Sequence, residues 1–150
     1  MEAVIFIGLQ AAGKSSFYKE RFFDTHVRIN LDMLKTRHRE ILLLRACLTM
    51  QQRFVVDNTN PTLAERARYI SPARSAGFRI IGYYFQSKVQ DCLARNERRE
   101  PWARVPAKAI AGTYTKLQLP SLAEGFDALH YVRTDDGGRF LVEGWADEVR

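Results

Sequence analysis

The string Gly8-Leu9-Gln10-Ala11-Ala12-Gly13-Lys14-Ser15 follows directly on Ala3-Val4-Ile5-Phe6-Ile7, a run that is apolar throughout. A short strand with no polar position has to be buried on both faces, which points to the centre of a parallel sheet covered by helices. The string itself fits G-x-x-x-x-G-K-[ST], and the residues beyond it read as a helix that starts around Gly13 to Ser16 and ends about Phe22. Strand, glycine-rich turn and helix in that order make a phosphate-binding P-loop. Gly8 and Gly13 allow backbone angles and close approaches that a β-carbon obstructs. Successive N–H groups, those of Ala11 and Ala12 among them, turn toward phosphate oxygens, and the helix start at Ser15 and Ser16 adds its positive end. Lys14 is expected to reach the β- and γ-phosphates of ATP, and the Ser15 hydroxyl to be a ligand of Mg2+.

The rest of the chain alternates short β-rich runs with longer amphipathic ones, the pattern of an α/β fold. Further strands are expected at His26–Ile29, Arg53–Val56, Phe78–Phe85 and Ala128–Val132. One long helix from Asp32 would carry Leu34, Ile41, Leu44 and Leu48 on one stripe, with Arg37, Arg39, Glu40 and Arg45 elsewhere. Pro61 would open a helix to about Ala76, kinked at Pro72 and ended by Gly77. Ser87 would cap the next helix and Pro106 would open the one ending about Leu117. The Asp135-Asp136-Gly137-Gly138 turn and a tail over 134–150 should add a peripheral strand and a short helix.

A chain of 150 residues suits one domain with its own core, and 46% hydrophobic with 27% charged residues excludes a disordered chain. The formal charge of +6 favours anionic partners without choosing among them. Cys47 and Cys92 lack metal-ligand spacing and read as buried free thiols. The apolar start is too short for a signal-peptide core and no run is long enough to span a bilayer, so the expectation is a soluble cytoplasmic protein with no membrane partner.

In an open α/β sheet, ligands lie beyond the carboxyl ends of the strands. Asp32 follows the second strand and Asp57 ends the third. Beside a P-loop, Asp32 suits the carboxylate that orients an attacking hydroxyl and accepts its proton; its competing role is a helix cap. Asp57 suits a magnesium or substrate contact, and competes with a plain turn reading of Asp57-Asn58-Thr59-Asn60. The segment Arg95 to Arg104 packs four arginines around a Glu100-Pro101 break. It reads either as a solvated helix end or as a lid over about 95–105, with Arg95 and Arg99 on the donor phosphates.

These residues together resemble the 5′-kinase domain of the polynucleotide kinase family. The resemblance runs from about Val4 to Val132 through the P-loop, Asn30-x-Asp32 and Asp57-Asn58-Thr59-Asn60-Pro61. It continues through Arg66-Ala67-Arg68-Tyr69, the Arg95 to Arg99 lid, Val105-Pro106 and Leu122-Ala123-Glu124-Gly125-Phe126. It implies a single-domain, five-stranded parallel P-loop fold of the adenylate-kinase-like kind. It implies transfer of the γ-phosphate of ATP to a 5′-hydroxyl of DNA or RNA, with Asp32 as general base, Lys14, Ser15 and Mg2+ on the phosphates, Asp57 as a second essential acid and Arg99 and Arg95 in the lid. Two positions depart: Leu31 replaces an arginine of the motif, and Lys35 stands where an arginine grips the acceptor phosphate, keeping the charge without the bidentate fork. No phosphatase domain is expected beside the kinase domain. A kinase acting on a small hydroxyl compound, and a nucleotide-binding switch without catalysis, are the competing readings.

Overall fold

A computed structural model describes residues 1–146. The first strand, β1 (Glu2–Ile7), has no solvent exposure from Ala3 to Ile7. Alternate side chains explain why. Ala3, Ile5 and Ile7 enter one core layer, with Ile29, Leu44, Val56, Tyr69 and Ile70, whereas Val4 and Phe6 enter a second, with Phe17, Val55, Phe85, Cys92 and Ile110. Period two on a strand covered on both sides leaves no position for a polar residue.

Four further strands lie parallel to this centre: β2 (Val27–Ile29), β3 (Phe54–Val56), β4 (Arg79–Phe85) and β5 (Ala128–Thr134). A sixth, β6 (Phe140–Gly144), pairs antiparallel with β5, giving the order β2-β3-β1-β4-β5-β6. The five-stranded parallel sheet expected from sequence is present and is extended by this edge strand, which follows the Asp135–Gly138 turn. The short helix expected at the chain end lies outside the described residues. In this single-domain α/β fold β1 sits between β3 and β4, where the chain leaves one half of the sheet for the other, and its carboxyl end opens on the crevice formed there.

Among the described residues six α-helices cover the sheet: α1 (Lys14–Arg21), α2 (Leu31–Leu34), α3 (Arg37–Thr49), α4 (Leu63–Ser75), α5 (Val89–Glu97) and α6 (Ala107–Lys116). The long helix expected from Asp32 is two helices. Lys35 takes φ 76°, which interrupts the helical path, and the Thr36 side chain then accepts from the Arg39 N–H to start α3. Restarting changes the phase of the stripe. Glu40, Leu44 and Cys47 are buried and Ile41 is exposed, the reverse of the expected placing of Glu40 and Ile41. Pro61 precedes α4 rather than opening it: Thr62 is the cap, accepting from the Glu65 N–H, and α4 continues through Pro72 to a turn at Gly77 (φ 81°). Ser87 does not cap α5, whose N-cap is Lys88; its buried hydroxyl donates to the Phe85 carbonyl. Both cysteines are free and buried, and burial pushes both thiols up from their ordinary pKa.

The loop between β3 and α4 is fixed by a buried ion pair. Arg66, with no exposed surface, donates to both oxygens of Glu124 at 2.7 and 3.1 Å and to the Asn60 carbonyl at 2.9 Å. Glu124 in turn closes a capping box with Ser121. Removing one partner of such a pair strands a charge away from water. Arg66→Met is expected to lower the unfolding free energy by about 3–5 kcal/mol in urea titration, and an unchanged midpoint would show that the pair carries no such weight.

Candidate active site

The P-loop hangs between two neighbouring strands. Gly8 N–H donates to the Thr59 carbonyl at 3.0 Å on the β3 side, and Leu9 N–H donates to Ser87 Oγ at 3.1 Å on the β4 side. A β-carbon at Gly8 would stand 3.1 Å from Phe85 Cβ, which is the close approach that selects glycine there. Gly13 has φ 100°, in the left-handed region, and a β-carbon on it would meet the Phe140 ring at 3.2 Å. Phe140 also packs on Phe17 with ring centroids 5.1 Å apart. The tail segment that seemed peripheral in sequence therefore seats the start of α1. That helix has no side-chain cap, so its first N–H groups are left for an anion in the cleft.

Lys14 is buried and folds back on its own loop, donating to the Gly8 and Leu9 carbonyls. Burial pushes its pKa down from 10.5 to about 8, opposed mainly by the charge of Asp57. Asp57 is 2% exposed and its Oδ2 accepts twice, from Ser15 Oγ at 2.9 Å and from Arg28 Nε at 2.8 Å. Arg28 Nη2 also reaches Ser15 Oγ at 3.0 Å. This closed triangle replaces the turn reading of Asp57. Arg28 was not anticipated from sequence; it stands on the edge strand β2 and is only partly buried.

Asp32 caps neither neighbouring helix. The Asn30 side chain caps α2 by accepting from Met33 N–H, while its amide donates to the Asp57 carbonyl. Asp32 is left exposed in the first turn of α2, on the wall of a cleft of about 300 Å3. Ala11, Lys14, Ser15, Asp57 and Arg99 line the same cleft, so the two ends of the chain segment from P-loop to arginine segment converge there. Arg99 donates to the Ala103 carbonyl at 3.4 Å, across the short 3-10 turn Pro101–Ala103. Arg95 is placed differently, beside the loop, with long contacts to the Ala11 carbonyl and Thr134 Oγ1.

Lys35 is exposed, sits in the positive-φ turn that ends α2, and is not among the residues lining the cleft. Arg37 lines the cleft instead. One of its nitrogens donates to Glu40 Oε1 at 2.8 Å and to Tyr69 OH at 3.1 Å. Glu40 and Tyr69 also hold Asn58, whose side-chain oxygen accepts from Leu31 N–H immediately before Asp32. Ser16 is exposed on α1 outside the cleft.

A family model described as an AAA domain matches residues 4–120. The chain belongs to the AAA domain family. Its P-loop, Asp32 and Arg99 all lie within that span. The AAA domain is 28% identical over 131 aligned residues to the bifunctional polynucleotide phosphatase/kinase of Schizosaccharomyces pombe, covering 83% of this chain and 32% of the relative. It thus spans about a third of that protein's length. Among solved structures it is similar to Chaetomium thermophilum Kti12 in complex with ADP-AlF3, with TM-score 0.68, 14% identity and coverage of 89% and 90% of the two chains. It is also similar to a gluconokinase from Sinorhizobium meliloti, with TM-score 0.61, 15% identity and coverage of 88% and 82%. These likenesses establish a P-loop kinase fold. No helix among the described residues is long and apolar enough to cross a membrane.

The depressed pKa of Lys14 has a signed consequence for this AAA domain. Between about 8 and 10.5 the unfolded chain holds a proton that the folded chain has released, so stability rises with pH in that window. The stability of the wild type relative to Lys14→Met should therefore grow by up to about 3 kcal/mol from pH 8 to pH 10.5, measured by denaturant titration at each pH. A difference that stays constant across the window would contradict the buried ammonium.

Proposed function

We propose that the chain is an ATP-dependent phosphotransferase that moves the γ-phosphate to the 5′-hydroxyl end of a DNA or RNA strand. The observation that carries this reading is the meeting of Asp32, Lys14 and Arg99 on one cleft. The identity with the fission-yeast polynucleotide phosphatase/kinase supports the choice of acceptor.

On this reading Asp32 takes the proton of the acceptor hydroxyl as its oxygen attacks the γ-phosphorus in line, and the bond to the ADP oxygen breaks. Lys14 turns from its loop carbonyls to the β- and γ-phosphates, and Arg99 meets the charge spreading over the transferring group. Gly8, Ala11, Ala12 and Gly13 bring backbone to the phosphates; Arg95 braces the loop from its outer side, and Ser16 has only a helix-start role. Closure of the segment 95–105 excludes water, the competing acceptor. Arg37 takes the acceptor-phosphate role expected of Lys35, and restores the guanidinium fork that a lysine lacks. Ser15 and Asp57 offer oxygens 2.9 Å apart, hard donors that fit a magnesium ion. Such an ion, when bound, offsets the charge of the phosphate oxygens.

A small hydroxyl compound is the second reading. It is favoured by the likeness to gluconokinase and by the modest size of the cleft. Transfer of labelled γ-phosphate to 5′-hydroxyl oligonucleotides, set against a panel of sugars and alcohols, separates the two. Labelled oligonucleotide 5′ ends are the expected result, and labelling confined to the panel would replace the acceptor in this proposal. Asp32→Asn should lower kcat by about 10²- to 10⁴-fold with ATP affinity retained, because Asn30 and Thr36, not Asp32, cap the helices. Full turnover in that variant would remove the general base, and absence of transfer by the wild type would leave a nucleotide-binding switch.

A further inference from the structure

Two buried side-chain atoms among the described residues have no hydrogen-bond partner, Gln10 Oε1 and Glu65 Oε2. Both residues line the cleft that contains Asp32 and Lys14. Both atoms are acceptors, and a buried acceptor without a donor is disfavoured unless something else supplies one.

Their surroundings keep them in this condition. Gln10 Nε2 donates to Thr113 Oγ1 at 3.0 Å, and the Thr113 hydroxyl spends its proton on the Ala109 carbonyl at 3.0 Å. Thr113 can then only accept, so Gln10 cannot flip without losing that bond, and its oxygen stays unpaired. Glu65 lies in the first turn of α4, where the Thr62 hydroxyl oxygen accepts from its N–H. Gln10 is tied to α6 through Thr113, and Glu65 stands on α4. The end of α6 is tied to the start of α4 by Gln118, whose N–H donates to the Pro61 carbonyl at 2.7 Å and whose side chain accepts from Leu63 N–H at 2.9 Å.

We infer that Gln10 and Glu65 form an acceptor-side subsite for an uncharged hydrogen-bond donor, a hydroxyl or an amino group carried near the hydroxyl that is phosphorylated. The inference rests on the kinase reading above but not on the acceptor's being a nucleic acid. Phosphate is unsuited here, because Glu65 would repel it and neither free atom can donate. For an oligonucleotide the donor is either the 2′-hydroxyl of the terminal ribose or an exocyclic amine of its base.

The test measures KM for acceptor and for ATP in the wild type, Glu65→Ala, Glu65→Gln and Gln10→Ala, with thermal unfolding to confirm that each variant folds. Acceptors are paired: 5′-ribo against 5′-deoxyribonucleotide ends, and terminal cytosine against terminal uracil, which lacks the amine. Glu65→Ala should raise the acceptor KM about tenfold, leave the ATP KM unchanged, and act only on the donor-bearing member of one pair, with partial recovery in Glu65→Gln. Gln10→Ala should shift the same pair and keeps the inference open to refutation if Glu65 variants do not fold. The ribose pair responding names the 2′-hydroxyl, and the base pair responding names the amine. Equal effects on both members of every pair, a shift in the ATP KM, or no shift at all would overturn the subsite and leave only a buried water on these oxygens. If sugars or alcohols are labelled and oligonucleotides are not, the polynucleotide reading fails alone, and polyols lacking one hydroxyl replace the oligonucleotide pairs. Absence of transfer to any acceptor overturns both.

Discussion

Asp57 is a carboxylate almost wholly withdrawn from water at the end of a strand, and the rest of the site is arranged around satisfying it. Its Oδ2 takes the Ser15 hydroxyl and the Arg28 guanidinium, its carbonyl takes the Asn30 amide, and its N–H donates to the Ile29 carbonyl at 2.8 Å. Those partners come from α1, β2 and the start of α2. A buried carboxylate tolerates neither loss of its donors nor much displacement, because each missing bond leaves charge uncompensated in a medium that solvates it poorly. The P-loop helix and the Asp32 helix are therefore held to one atom group, and the positions of Ser15 and Asp32 are consequences of that pairing.

Lys14 shows the opposite economy. Its ammonium is buried, and desolvation outweighs the attraction of Asp57 and its other neighbours, which is why its pKa falls. The carbonyls of Gly8 and Leu9 hold it without neutralising it. A polyanion in the loop would supply the missing charge, so the cationic form that binding needs is stabilised by binding itself. The loop stores affinity for phosphate as an unmet electrostatic demand rather than as an open pocket of charge.

What could be read from the chain follows from how local each feature is. The P-loop and β1 are fixed by neighbours in sequence, and Gly8, Gly13 and the all-apolar run announce them. The break at Lys35 was hidden because a lysine in a positive-φ conformation carries no local signal where a glycine or asparagine would. Missing that break put Lys35 rather than Arg37 on the cleft and turned Glu40 outward. Ser87 looked like a cap because it precedes a helix, but its hydroxyl is engaged by a loop 78 residues away, a contact that no window of sequence contains. The antiparallel β6 was anticipated only as a peripheral strand, since its one decisive contact, Phe140 on Gly13, is likewise remote. Arg28 gave no local sign either, since a charge on a partly exposed edge strand needs no buried partner.

The two halves of the cleft have separate anchors that adjoin in sequence. Asp57 anchors the P-loop side, through Ser15 and Arg28. Asn58 anchors the Asp32 side, through Leu31, Glu40 and Tyr69, and so reaches both the start of the Asp32 helix and Arg37. Consecutive α-carbons stand about 3.8 Å apart whatever the fold does elsewhere. The anchors of the P-loop side and of the Asp32 side are thus joined by one peptide unit. The loop that follows is held by Gly8 N–H on the Thr59 carbonyl and by the buried Arg66 on the Asn60 carbonyl. Loosening Arg66 would disturb both sides together, because the loop it holds continues directly from the two residues that anchor them.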